Sequence, residues 1–184
     1  MPSNQPNNSR TALVIHGGAG VISRADMDPE QQADYEAALN QALDAGEAVL
    51  QRGGSARAAV IASVLVLEDC PLFNAGKGSV FNADGGHELD ASIMEGHTGK
   101  AGAVAGVRTV KNPIRLAEAV MEHSPHVMLA IDGAEAFADT QPDIERVAPE
   151  YFDTTHRLEQ LHATQAEERL SASRNLKGRY FGTV

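Results

Sequence analysis

Gly53-Gly54 divides a long stretch of helix-forming residues in two. Asp28 offers a side-chain N-cap and Pro29 a φ suited to the first helical position, after which Ala, Leu and Glu recur at helical spacing through residue 50. The glycines end that helix. Ser55 caps the next one, whose Val60, Val64 and Leu67 carry an apolar face to residue 68 or 69, just before Pro71. Two helices in direct succession interrupt any strand-helix alternation and so argue against a doubly wound parallel sheet.

Strands are predicted elsewhere. Residues 11–16 form a short apolar run stopped by Gly17, Gly18 and Gly20. Residues 88–94 alternate, with Leu89, Ala91 and Ile93 on one face, and residues 101–107 are small and apolar. Asn112-Pro113 opens a helix through residue 121. An apolar run at 127–131 lies between Pro125 and an Asp132-Gly133 turn pair, and a short helix is expected near 134–138. From about 154 to 180 apolar periodicity gives way to Gln, Glu, Ser, Arg and Lys, the composition of a mobile tail. There is no internal repeat. The pattern predicts an α+β fold, a layered sheet covered by helices. With aromatics at 4% and no Trp, its core must be aliphatic and rich in Ala.

A formal net charge of -10 disfavours nucleic acid and anionic membrane surfaces, both of which need a basic face, and leaves a small molecule or peptide as the expected ligand. Cys70 is the single cysteine, so no intramolecular disulfide or thiolate cluster can form, which suits a reducing cytoplasm. The first ten residues lack the apolar run of a signal peptide, and no segment approaches the ~20 apolar residues of a membrane span. We expect a soluble, cytoplasmic protein.

Three segments can carry chemistry. His16-Gly17-Gly18-Ala19-Gly20 leaves backbone N–H groups uncovered after a strand, able to donate to an anion or oxyanion, although an ordinary tight turn is the plainer reading. A serine-esterase oxyanion loop would also need Gly-x-Ser-x-Gly, which does not occur. His16 alone reads as a satisfied strand-end histidine. The loop at 70–78 is dense in Gly and Pro, and its carbonyls could converge on a hard cation. Lys77 weighs mildly against a divalent ion, and a packed loop without any ion stays open. Gly182-Thr183 has little specificity as a dipeptide, but cleavage before Thr183 would expose a hydroxyl nucleophile and an α-amino base on one residue.

Taken in order, several segments resemble the plant-type asparaginase/isoaspartyl peptidase family of N-terminal-nucleophile hydrolases. They are His16-Gly17-Gly18-Ala19-Gly20, Cys70-Pro71-Leu72-Phe73-Asn74-Ala75-Gly76, His87-Glu88-Leu89-Asp90-Ala91, and Lys100-Ala101-Gly102-Ala103-Val104-Ala105-Gly106. Asn112-Pro113, Met121-Glu122-His123-Ser124-Pro125-His126-Val127-Met128 and Gly182-Thr183-Val184 complete the set. Each motif is weak alone; the ordered set is strong, and it favours this branch over glycosylasparaginase-like or threonine-aspartase-like relatives.

The resemblance implies a four-layer αββα sandwich, here incomplete, and a precursor that cuts itself at Gly182-Thr183 into α and β subunits that stay together, as an (αβ)2 homodimer. Thr183 would be the nucleophile toward L-asparagine and β-aspartyl dipeptides. Asn74, His16, Gly17 and Gly18 would support the active site. No cofactor is implied for catalysis, but a structural sodium ion is, held by backbone oxygens of Leu67, Glu68, Cys70, Phe73, Ala75 and Lys77. The implied organisation is a disordered N-terminus at 1–10, an α-subunit body at 11–152, a mobile linker at 153–182 and the start of the β subunit at 183–184. The family's substrate-binding and oxyanion residues belong to the β subunit, so this segment alone is expected to be inactive and poorly stable. The competing expectation is a non-catalytic remnant that binds a cation or a partner chain.

Overall fold

Asp28 does cap the first helix. Its Oδ1 accepts the N–H of Gln31 at 2.8 Å, and α1 runs over Pro29–Gln51. At the far end Gly53 takes φ +77 and donates to Leu50 O, while Gly54 donates to Val49 O, a Schellman closure that satisfies the last carbonyls. Ser55 Oγ then accepts Ala58 N–H at 3.1 Å and opens α2, Ala56–Asp69. The computed structural model describes residues 11–18 and 28–173 of the chain. It divides into two compact units, Met1–Leu67 and Glu68–Val184.

In the first unit α1 buries Ala38, Ala42 and Gly46, a stripe at four-residue spacing. The side-chain-free surface at Gly46 lets neighbours approach closely, since a Cβ there would meet Ser63 Oγ and Leu13 Cδ2 within 2.5 Å and Ala59 O at 3.0 Å. Leu13 and Ile15 are half-buried and Val14 is exposed, the alternation expected of a strand. Residues 11–18 nevertheless form no strand, because a strand requires a ladder partner and none of the described residues supplies one. They line, with Val60, Ser63, Val64 and Leu67, a small groove against α2.

The second unit is built on a three-stranded mixed sheet. Strands β1, Leu89–Met94, and β2, Ala101–Val107, are antiparallel, and β3, Met128–Ala130, adds parallel to β2. The β1–β2 register shifts between Leu89 and Ala91, and there the Asp90 carboxylate accepts Gly106 N–H at 2.8 Å. Helix α3, Pro113–His123, covers one face and buries Ile114, Leu116 and Val120, each worth roughly 1.5–3 kcal/mol on full burial. Gly102 permits that contact: a Cβ there would lie 2.1 Å from Ala117 O. On β1 the alternate residues Asp90, Ser92 and Met94 are exposed.

Two further expectations change. The Asp132-Gly133 pair is not a turn after β3. It lies in the first turn of α4, Ile131–Asp139, where Asp132 complements the helix dipole. The described part of the expected tail is helical as α5, Thr155–Ser173, and its remainder, 174–180, lies outside the described residues. Its many good helix formers sustain the helix without a buried stripe, and Thr154 Oγ1 accepts Arg157 N–H at its start. No helix among the described residues is long and apolar enough to cross a membrane.

Candidate functional site

The expected nucleophile and cleavage bond, Thr183 and Gly182, lie outside the described residues, as do Ala19 and Gly20. His16, Gly17 and Gly18 are exposed in the first unit, with Gly18 at φ +127. Asn74 is exposed in the second unit, where its Oδ1 accepts Val80 N–H at 2.9 Å and closes the loop on itself.

That loop is folded inward. Gly76 adopts φ +50 at the start of a single 3-10 turn, Gly76–Gly78. A Cβ at Gly76 would lie 2.2 Å from Glu68 O, and one at Gly78 would lie 2.1 Å from Phe73 O and 2.6 Å from Pro71 O. Three carbonyls therefore crowd the glycine turn. Glu68 and Phe73 belong to the expected sodium set; Pro71 does not. Ala75 O accepts Gly78 N–H at 3.1 Å. Backbone carbonyls are neutral oxygens, the donor type that the implied hard cation takes. The Lys77 ammonium, which could oppose a cation, sits 5.3 Å from the centroid of the Tyr151 ring. Among the described residues no group of three His, Cys, Asp or Glu side chains is placed to hold a metal ion.

Beneath the loop lies a buried acid. Glu68 is 3% exposed; its Oε1 accepts Ile114 N–H at 3.0 Å and so caps α3, while Oε2 is buried without a hydrogen-bond partner. Burial raises its carboxyl to about 7, opposed by the Ile114 N–H and the Asn112 amide and reinforced by the neighbouring Asp69 charge.

Glu135 on α4 is tuned the opposite way. Burial would raise it, but Arg108 N–H, the Thr109 hydroxyl and N–H and the Arg146 guanidinium together hold it below the usual carboxylate range. It ties α4 to the end of β2.

A further array joins parts far apart in sequence. His87 Nε2 lies 3.0 Å from Asp153 Oδ1, and its Nδ1 lies 3.1 Å from Ser79 Oγ and 3.2 Å from Val80 O. The ring stacks 4.2 Å from Phe81, and its centroid is 6.0 Å from that of Phe152. Ser79 and His87 are each 4% exposed, which closes the hydroxyl to a substrate and makes the array a brace, not a nucleophile relay. Nothing in spacing pointed to Ser79, Asp153 or the Glu68 side chain. His87 stood in a quoted motif without a role.

The chain matches the family profile described as Asparaginase over residues 9–180. It is 51% identical over 158 residues to an isoaspartyl peptidase of Escherichia coli, covering 86% of this chain and 49% of that protein. Identity is 45% over 163 residues with a putative isoaspartyl peptidase/L-asparaginase of Dictyostelium discoideum, covering 89% and 47%. With a plant-type L-asparaginase of Pyrococcus abyssi it is 45% over 144 residues, covering 78% and 44%. The chain thus spans about half the length of these relatives. Because the profile extends from the glycine elbow through the inward-folded loop and the sheet to the stretch just before Gly182, this chain belongs to the asparaginase family.

Proposed function

We propose that the protein containing this chain is a threonine-nucleophile amidohydrolase acting on β-aspartyl dipeptides and L-asparagine after cutting itself at Gly182-Thr183. The observation that carries this is the family match over residues 9–180, with relatives named for those two activities. In the first step the Thr183 hydroxyl oxygen adds to the Gly182 carbonyl carbon, and the peptide C–N bond breaks as its nitrogen takes a proton. Water then hydrolyses the ester, leaving a Gly182 carboxylate and a Thr183 with free hydroxyl and amine. An α-amino group titrates near ~8, so a useful fraction is neutral and can take the hydroxyl proton. Thr183 oxygen next attacks the side-chain amide carbon of the substrate. The leaving nitrogen departs protonated, as ammonia or as the amino group of the second residue, and water hydrolyses the aspartyl ester.

The remaining features follow the same reading. An αββα sandwich is supported by a sheet with one face under α3 and exposed residues alternating along β1. A β subunit beginning at Thr183 would supply the second sheet and the substrate-binding groups, in an (αβ)2 assembly. His16, Gly17, Gly18 and Asn74 would support the nucleophile. Backbone oxygens of Glu68, Cys70, Phe73, Ala75 and Lys77, with that of Leu67, would hold a sodium ion whose role is to fix the loop. The lone Cys70 suits a cytoplasmic setting. The remnant reading has no observation of its own in its favour.

Intact-mass spectrometry of the protein expressed from its full reading frame, sampled over hours, tests the proposal. Two fragments with a new amino terminus at Thr183 are expected, followed by release of aspartate from a β-aspartyl dipeptide. A mass that stays whole would overturn it.

A further inference from the structure

The brace around His87 joins two segments to which the proposed function gives separate tasks. On one side is the loop that ends at Gly76–Gly78; on the other is the root of α5, the helix that leads toward Gly182. Four contacts connect them. Lys77 stands over Tyr151, Arg157 Nε–H donates to Gly78 O at 2.7 Å, His87 spans Ser79 and Asp153, and Phe152, fully buried, flanks the His87 ring.

Each residue from Lys77 to Ser79 thus meets a group of the 151–157 segment or His87: Lys77 and Ser79 through their side chains, Gly78 through its carbonyl. His87 reaches both sides through the two nitrogens of its ring. Asp153 is acceptor-only when ionised, so Nε2 carries the proton that it donates; the Ser79 hydroxyl can then donate to Nδ1. A second proton on Nδ1 would go to Val80 O, so the bridge holds in either protonation state of the ring. Along α5 itself the described side chains are exposed or half-buried, with Leu158 and Leu170 both exposed. The first turn of the helix is tied to the loop directly by Arg157 and, through His87, by Asp153 just before it.

We propose that His87 and Asp153 are positioning residues for self-cleavage: they clasp the root of α5 to the Gly76–Gly78 turn, so that the inward-folded loop sets the direction in which the chain departs toward Gly182-Thr183. This rests on the cleavage reading above.

The test uses the full-length precursor and compares Asp153→Ala, Asp153→Asn and His87→Phe, following cleavage by intact mass and amide exchange by hydrogen–deuterium mass spectrometry. Asp153 is half-exposed, so its alanine variant removes the clasp without touching the core, while His87→Phe keeps the stacking and removes both nitrogens. Cleavage is expected to slow about tenfold in Asp153→Ala and His87→Phe, the size of one lost hydrogen bond to a charged group. Asp153→Asn keeps an acceptor oxygen and is expected to recover most of the rate. Exchange should rise in the first turn of α5 and stay unchanged in β1 and β2. Wild-type cleavage rates in both Asp153→Ala and His87→Phe, or an asparagine variant as slow as the alanine one, would overturn the clasp. A wild-type precursor that never cuts would instead overturn the reading on which it rests.

Discussion

Two glycine turns that look alike in sequence differ in what surrounds them. At Gly18, φ is +127 and an added Cβ would meet no described atom within 4 Å; at Gly76 and Gly78 it would strike the carbonyls of Glu68, Phe73 and Pro71, two of them at 2.2 Å or less. The second turn needs its glycines because the chain's own backbone fills the space. The first needs one for its backbone angle alone, and no described neighbour requires that angle. Gly53, at φ +77 and equally open, shows that such a glycine also serves a plain helix end, so the open turn at Gly18 is set apart only by experiment.

The sharpest way to break this comparison is Gly78→Ala. A methyl 2.1 Å from Phe73 O forces the loop open, and a loss of about 4 kcal/mol is expected in urea unfolding. A loss under about 1 kcal/mol would mean that the carbonyls yield and the loop is not rigid.

Glu68 sharpens the same side of the comparison through pH. Burial lifts its carboxyl to about 7, against 4.5 in the unfolded chain, so between those values the folded protein keeps a proton that the unfolded chain releases. Its contribution is therefore full below the unfolded value and is lost as pH rises through the folded one, by roughly 3 kcal/mol in all. Glu68→Gln imitates the protonated acid and should flatten this slope. Urea midpoints at about pH 5 and about pH 8 in sodium-free buffer would show it, and equal slopes in both proteins would contradict the burial.

Ile131 is the converse case, a left-handed backbone without glycine. Its φ of +49 places a β-branched side chain where L-residues are strained, beside Gly106 at φ +66. Ile131→Gly is expected to stabilise the chain by about 1 kcal/mol, read as a higher melting temperature. No gain would mean that the exposed isoleucine contributes contacts that offset the strain.

An effect on stability of the same small size is expected at Gly18. Gly18→Ala should cost about 1 kcal/mol, from the strain of an L side chain at φ +127, since no described atom meets the added Cβ. Dipeptide hydrolysis by the processed full-length enzyme should nevertheless fall about tenfold if this turn supports the nucleophile. A variant with unchanged hydrolysis would make Gly18 an ordinary turn.

Much of the fold was legible because its signals are local. Asp28 with Pro29, Gly53-Gly54, Ser55 and Asn112-Pro113 each act within a turn of their own position, and the helices begin and end at or within a few residues of them. Alternation at Leu89, Ala91 and Ile93 placed β1 for the same reason. Residues 11–16 carry the same kind of pattern yet form no strand, since pattern specifies a face and a ladder needs a partner. Helix α5 was missed because its residues favour helix without needing an apolar stripe, and periodicity detects only the stripe. Within the candidate site, the Gly and Pro punctuation of the 70–78 loop was legible, and the loop folds inward on its glycines. That Pro71 O would face Gly78 was not legible, because a carbonyl's direction is unrelated to its residue's identity.

Caps, breakers and alternation are written in neighbouring residues, and so is the ordered motif set that marks the family. The raised acid at Glu68, the four-donor cage of Glu135 and the span from Ser79 through His87 to Asp153 are of another kind. Each joins groups tens of residues apart, and its energy depends on burial and on distances of about 3 Å that exist only once the chain has folded.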